Sequence, residues 1–331
     1  MRLKKIAIAM ALVGSILLIG CGNSSNKGST IETKEKKVVN VVVPDGLPSI
    51  TMAKIMKENP NFDETVDVKY SIEKGTDGLT SKVLSGEADI AIVPSSLAAQ
   101  AYNKGLGYKL AATGGFGSFS LIGNEDIKTV EDLKGKTVTT IGKGMTPDIV
   151  LKAILKEKGI DIEKDITLNY LGGATELAPT FLSGKCEIAQ IPEPMLTKVL
   201  SQKTTSNIII DLNEEWKTTF KTENGYPQSS LIIKENLISD RDNFVNKFIK
   251  AYKDSIEFAN NNTDTLGNYC EELGISVDKT ILKDAIERSN LKFVKAKDSK
   301  KDYEKYYEIL MESNSKVIGG KIPDEKIYYE E

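Results

Sequence analysis

From Val38 onward, short apolar runs alternate with amphipathic stretches, and the alternation is written twice. In the first copy Val38–Val43, Val66–Ile72 and Ala88–Val93 have strand character. Helical stretches at Pro48–Asn59 and Leu79–Ser85 and a glycine loop at Gly75–Gly78 separate them. The second copy lies 98 positions on. From Asp67/Asp165 to Ser96/Pro194 the two align without a gap, with nine identities in thirty, including Leu84, Ser85, Gly86, Ile90, Ala91 and Pro94. About two would arise by chance, so the chain carries one structural unit twice. Upstream, Pro48–Glu58 lies on Pro147–Glu157 with five identities in eleven. Strands alternating with helices predict parallel βαβ pairing in an α/β fold, with helices on both faces of each sheet. Ligands of such sheets sit beyond the carboxyl ends of the strands. Two copies offer two loop rims, which make a cleft if they face one another.

The remaining pattern says how the copies are joined. Lys109–Asn124, with four glycines and two phenylalanines, is where the chain leaves lobe one, and Tyr226–Ile233 is a strand by which it returns. That places lobe one at 38–116 and 226–331 and lobe two at 117–225, joined by a two-strand hinge. Beyond Asp240, Phe244, Val245, Phe248, Ile249, Tyr252 and Ile256 recur at helical spacing to about Asn260. Shorter helices are expected over Asp264–Leu273, Asp278–Ser289 and Asp302–Ser313, with Tyr303, Tyr306 and Tyr307 as packing residues.

Ahead of the first unit, basic Arg2, Lys4 and Lys5 precede an apolar run, Ile6–Ile19, which reads as an export signal over residues 1–20. Leu18-Ile19-Gly20-Cys21 resembles a bacterial lipobox, which implies cleavage before Cys21 and acylation of its thiol. Two acyl chains on one residue anchor a protein stably to a membrane, here on the extracytoplasmic face, as on a Gram-positive cell surface. Gly22–Lys37 is too polar to bury a core and reads as a flexible tether.

Composition mostly removes options. At 331 residues the chain exceeds what one core usually fills, and a net charge of −3 gives no reason to expect a nucleic-acid partner. Histidine is absent, and of 44 basic residues only Arg2, Arg241 and Arg288 are arginine. No cofactor or metal set is recognisable, and an enzyme would have to work with Asp, Glu or Lys alone. Cys186 and Cys270 fall in different parts of the chain and are expected to remain free thiols.

The lipobox, the tether, the duplicated α/β unit, the L-x-G-x-x-D/E-I-A pattern before each proline turn and Glu131–Val138 (EDLKGKTV) together resemble the solute-binding proteins of ABC importers. Glu193-Pro194 and the Gly172–Thr175 loop resemble the sulfonate, nitrate and thiamine-precursor branch. The resemblance covers Val38 to about Lys253. It implies a two-lobed periplasmic-binding-protein type 2 fold, each lobe a mostly parallel sheet flanked by helices, closing on a small molecule and docking on an ABC permease. In this chain Arg241 and Arg288 fall in the helical tail. The expected cleft therefore lacks an arginine fork, which argues against a sulfonate ligand.

The repeat identifies the cleft loops. Lobe one offers Leu47, Ser49, Thr76, Asp77, Ser95 and Ser96; lobe two offers Thr146, Asp148, Thr175, Glu176 and Glu193. Helices open at several of these loops, and unpaired amides there favour a carboxylate on the ligand. Asp148, Glu176 and Glu193 can hold an ammonium, or can serve only as first-turn acids suited to the helix dipole. Phe116, Phe119 and Tyr226 lie near the hinge, as an apolar slot or as packing, and Gln228 beside them is a further candidate ligand contact. This set suits an aromatic or large apolar amino acid, with an aminopyrimidine close behind. A surface lipoprotein that adheres to host partners is the alternative class.

Overall fold

The structure is a computed structural model, and it describes residues 36–123 and 126–330. Cys21, the export signal and nearly all of the tether lie outside the described residues. The first unit runs β1 (Lys37–Pro44), α1 (Leu47–Glu58), β2 (Val66–Glu73), α2 (Thr76–Leu84), β3 (Ile90–Pro94) and α3 (Ser95–Asn103), followed by β4 (Tyr108–Phe116). The second runs β5 (Phe119–Gly123), β6 (Thr137–Ile141), α4 (Thr146–Glu157), β7 (Thr167–Leu171), α5 (Ala174–Leu182), β8 (Ile188–Pro192), α6 (Met195–Gln202), β9 (Asn207–Asp211) and α7 (Leu212–Phe220). Then come β10 (Pro227–Lys234), α8 (Glu235–Asp240), α9 (Asp242–Asn261), α10 (Thr263–Leu273), α11 (Leu282–Glu287), β11 (Val294–Lys295) and α12 (Lys300–Asn314).

The strands form two sheets. One has the order β11-β4-β10-β3-β1-β2, the other β7-β6-β8-β5-β9. Within each unit the pairs are parallel, β1 with β2 and β3, and β6 with β7 and β8. Each unit's third strand then takes an antiparallel neighbour from a crossing segment, β10 beside β3 and β5 beside β8. The sheets are therefore mixed rather than mostly parallel. The duplicated unit supplies the parallel strands, and the chain that passes between the sheets must run back against them.

Apolar residues on one face of the first sheet pack under α1, α9 and α10, with Phe62, Phe244 and Phe248 among them. A second cluster covers the opposite face and continues into the other sheet's helices through Trp216, Tyr226 and Tyr306. Tyr303, Tyr306 and Tyr307 are all buried, in keeping with a packing stripe. Cys186 and Cys270 are free. No helix among the described residues is long and apolar enough to cross a membrane.

Candidate functional site

The crossing points of the chain frame a cavity. Its floor is the hinge end of β4 and the start of β10, where Pro227 pairs with Phe116 and Ser229 with Gly115. Leu47, Pro48 and Thr51 of α1 form one wall, and Ser289 and Leu291, beyond α11, form another. Gln228 and Ser118 close the second-sheet side, and the space they leave is about 30 Å³, room for about one water-sized molecule, with the rest of the depression open to solvent. Gln228 is held in place: its carbonyl accepts from the Ser118 amide at 3.0 Å and its amide donates to the Ser118 hydroxyl at 3.0 Å. Larger depressions around Lys109 and Tyr328 and around Lys297 and Lys301 are walled mainly by charged surface chains.

The chain reaches this geometry through local features visible in its residues. Gly46 precedes α1 at φ 100°, a conformation that side chains resist, and Pro48 sits in the first turn where its missing amide costs nothing. No side chain caps α1, α3 or α4, so their leading amides are left for other partners.

Of the residues singled out from sequence, Leu47, Phe116 and Gln228 stand on the cavity. The others have local partners or lie apart. Ser49 is buried and donates to the Gly46 carbonyl at 3.0 Å. Ser95 is buried against Ser230 at 2.7 Å, and its carbonyl accepts from the Tyr307 hydroxyl, while Ser96 is half-buried at the start of α3. Thr146 meets the Tyr306 hydroxyl at 2.8 Å. Thr76, Asp77, Thr175 and Glu176 are exposed, and Glu176 accepts from the Gly172 amide at 3.1 Å. Phe119 is buried opposite Pro192. Tyr226 is fully buried between Trp216 and Tyr306, a packing residue of the hinge rather than a slot wall.

The acids are occupied too. Asp148 is 2 % exposed and accepts from the Gly144 amide at 2.7 Å, the Lys152 ammonium at 3.0 Å and the Tyr170 hydroxyl at 2.6 Å. Buried and already paired with the Lys152 ammonium, it is not presented to a ligand ammonium. Asp148→Asn is expected to cost about 1–3 kcal/mol, the toll of leaving buried donors unpaired, and to leave solute affinity unchanged. Thermal unfolding beside a binding titration checks both halves; a lost affinity with an unchanged melting temperature would return Asp148 to the ligand.

Glu193 brings the main correction. Arg288 was expected to stay in the helical tail, yet its Nε donates to Glu193 Oε1 at 3.0 Å and its NH2 group to Thr197 Oγ1 at 2.7 Å. The reason is that the helix expected over Asp278–Ser289 breaks up. Lys279–Ile281 forms a 3₁₀ turn, α11 ends at Glu287, and Asn290 adopts φ 49°. The Asn290 side chain donates to the Gly117 carbonyl at 2.6 Å, so the tail passes across the hinge and presents Arg288 to the start of α6. Thr197 also donates to Glu193 from its amide at 3.2 Å and its hydroxyl at 2.8 Å. Burial pushes the Glu193 carboxyl above its ordinary range, and the Thr197 and Arg288 donors only partly oppose this. Sequence reasoning missed Ser289 and Leu291 for the same reason; the glycine-rich crossing segment was the available signal for Gly114 and Gly115.

Two sheets of duplicated build, joined by crossing strands around a small cavity, define the two-lobed class of extracytoplasmic solute-binding proteins. Residues 62–265, more than half of the chain, match the NMT1/THI5-like family, and the chain belongs to that family. YtlA of Bacillus subtilis (strain 168), whose name calls it a binding protein, is 26% identical over 293 residues, covering 85% of this chain and 82% of its own. An ABC transporter structure from Parabacteroides distasonis matches at TM-score 0.76 and 25% identity, over 89% of this chain and 99% of that one. The periplasmic aliphatic sulphonate-binding protein SsuA from Escherichia coli shares the fold at TM-score 0.70 and 14% identity, over 89% and 93% of the two chains. The protein is a solute-binding protein of the ABC-import type, and these relatives are transport or binding proteins rather than enzymes.

Proposed function

We propose that the protein opens by hinge motion at the small cavity between α1, β4 and β10, captures an organic nutrient there, closes around it, and hands it to an ABC permease. Lipidation of Cys21 would hold it at the outer face of the cell membrane. The observation that carries the ligand reading is the lining: Leu47, Phe116 and Leu291 are apolar, whereas Ser118, Gln228 and Ser229 offer neutral donors and acceptors, the buried Ser289 hydroxyl being turned onto the Ala285 carbonyl. Apolar walls with a few placed polar groups suit a flat, weakly polar solute. An aromatic or large apolar amino acid fits the walls, but its ammonium would lack an acceptor, because Asp148 and Glu193 are engaged. An aminopyrimidine meets the same walls without that deficit. A sulfonate is the second reading, although the Arg288 guanidinium, which follows α11 beside the cavity residue Ser289, is already engaged by Glu193 and Thr197.

Titration calorimetry of the purified protein against phenylalanine, tryptophan, an aminopyrimidine and taurine separates these readings. One-to-one binding at micromolar affinity or tighter by one of them is the expected result. A flat response to the whole panel would remove the ligand reading, and turnover of the bound molecule would remove the binding role. Labelled palmitate incorporation, abolished by Cys21→Ser, tests the anchor; incorporation that survives the substitution would refute it.

A further inference from the structure

We propose that Arg288 and Glu193 form a latch between the lobes, a positioning pair that sets the wall of the cavity without touching the solute. The inference rests on reading the cavity as the solute site, but its test does not need the solute.

The elements that bridge the two sheets differ in kind on the two sides of the molecule. On one side the bridge is α12. Tyr306 packs at 6.0 Å centroid distance from both Trp216 and Tyr226, and Asn314 donates to the Gly144 carbonyl at 3.1 Å. Asp302 accepts from the Glu223 amide at 3.0 Å and the Asn224 side chain at 2.8 Å. This side is a broad, buried aromatic joint. On the other side, where the cavity lies, α11 meets α6, and the polar contact between them is Arg288 on Glu193 and Thr197. Aromatic surfaces can roll while staying dry, whereas a directional ion pair is either made or replaced by water. The aromatic joint is therefore suited to be the pivot and the ion pair the closing contact.

The residues next to Arg288 connect this contact to the site. Ser289 and Leu291 line the cavity, and Asn290 lies between them, donating to the Gly117 carbonyl and accepting from the Phe116 amide at 3.2 Å. Four consecutive residues thus hold the latch, the cavity wall and the hinge. Engaging Arg288 fixes where Ser289 and Leu291 stand.

The two partners are unequal. The Glu193 side chain is 0% exposed and that of Arg288 is 33% exposed. Arg288 can regain water by a side-chain rotation, but Glu193 needs the lobes to part. Arg288 is the charged group in contact with Glu193 among the described residues; Lys198, on α6, acts instead on Asp278. Removing Arg288 therefore strands a buried carboxylate, whereas Glu193→Gln leaves unpaired only the Arg288 charge, which water already reaches. Burial holds the Glu193 carboxyl above its ordinary range, so where Arg288 is missing, acidification supplies the proton that lets the stranded carboxylate stay buried.

The test is the radius of gyration by small-angle X-ray scattering, with amide hydrogen exchange over residues 193–197, on the solute-free protein near neutral pH and near pH 5. Arg288→Met is expected to be expanded near neutrality, with exchange faster by at least about tenfold, and to return towards wild type on acidification. The double variant Arg288→Met/Glu193→Gln is expected to be compact at both pH values. A purely structural role for Arg288 would give expansion in the double variant as well, without pH rescue. Arg288→Met matching wild type at both pH values, or a double variant as open as the single, overturns the proposal. If Arg288→Met does not fold, Arg288→Lys and Glu193→Gln decide. Both are expected to be compact near neutrality, with only Arg288→Lys tightening further on acidification, and the opposite ordering refutes the latch. An unsuccessful solute screen would leave these outcomes unchanged.

Discussion

Gly115→Val is expected to abolish solute capture while the protein stays folded, whereas Gly114→Ala, one residue earlier, is expected to destabilise it. The difference lies in what each new Cβ meets. At Gly115 it would stand 3.5 Å from Leu291 Cδ2 and 3.7 Å from Ser229 Cβ, ordinary contact distances, and further methyls would project into the cavity that Gly115 lines. Each methyl of mismatch in an apolar site costs about 10–200-fold, so the valine variant should lose at least ~100-fold in affinity. At Gly114 the Cβ would come within 1.8 Å of the Tyr252 hydroxyl. That ring is fully buried and its hydroxyl lies 3.3 Å from Thr51 Oγ1, so it has little room to yield. Overpacking of this kind costs about 1–3 kcal/mol. Calorimetric titration with whichever panel member binds, alongside thermal unfolding of both variants, reads the two effects. Wild-type affinity in Gly115→Val would mean that the solute sits elsewhere.

The second large effect is expected at Trp216. The indole is fully buried, with ring centroids of Phe220 at 4.4 Å, Tyr226 at 5.3 Å and Tyr306 at 6.0 Å. Trp216→Ala removes the centre of the joint and leaves a cavity that these stiff rings cannot fill, at a cost of about 3–5 kcal/mol. For a protein of this size that lowers the melting temperature by on the order of 10 °C. Tyr306→Phe is the control. It loses one hydroxyl contact, to Thr146, and is expected to cost about 1 kcal/mol. If Trp216→Ala costs no more than the control, the aromatic cluster does not hold the joint.

How far these features were legible depends on the range of the interaction concerned. The α/β architecture could be read because a buried parallel strand needs a continuous apolar run, so that Val38–Val43 and Ala88–Val93 fall on β1 and β3 within a residue or two. The duplicated pattern then carried the same reading to β6 and β8. The long helix α9 was equally plain from its spacing. The tail was not: Asp278–Ser289 has helical spacing, but packing against α10 and α6 ends α11 at Glu287 and turns the chain at Asn290. Hydroxyls and acids on the predicted loops were identified by type alone, and type does not say which way a side chain turns. Ser95 found Ser230, 135 residues away, and Asp148 found Tyr170 across its own lobe. Such pairings are tertiary, and no local pattern encodes them.

The place of β10 inside the first sheet bears on how the molecule is made. It lies between β3 and β4, yet more than a hundred residues separate it from either neighbour's start. A chain emerging N-terminus first can therefore assemble the whole second sheet, β5 to β9, while the first still has a vacant slot at its centre. Until residue 234 arrives, the inner edges of β3 and β4 remain unpaired, open to wrong strands and to any holding factor that recognises bare edges.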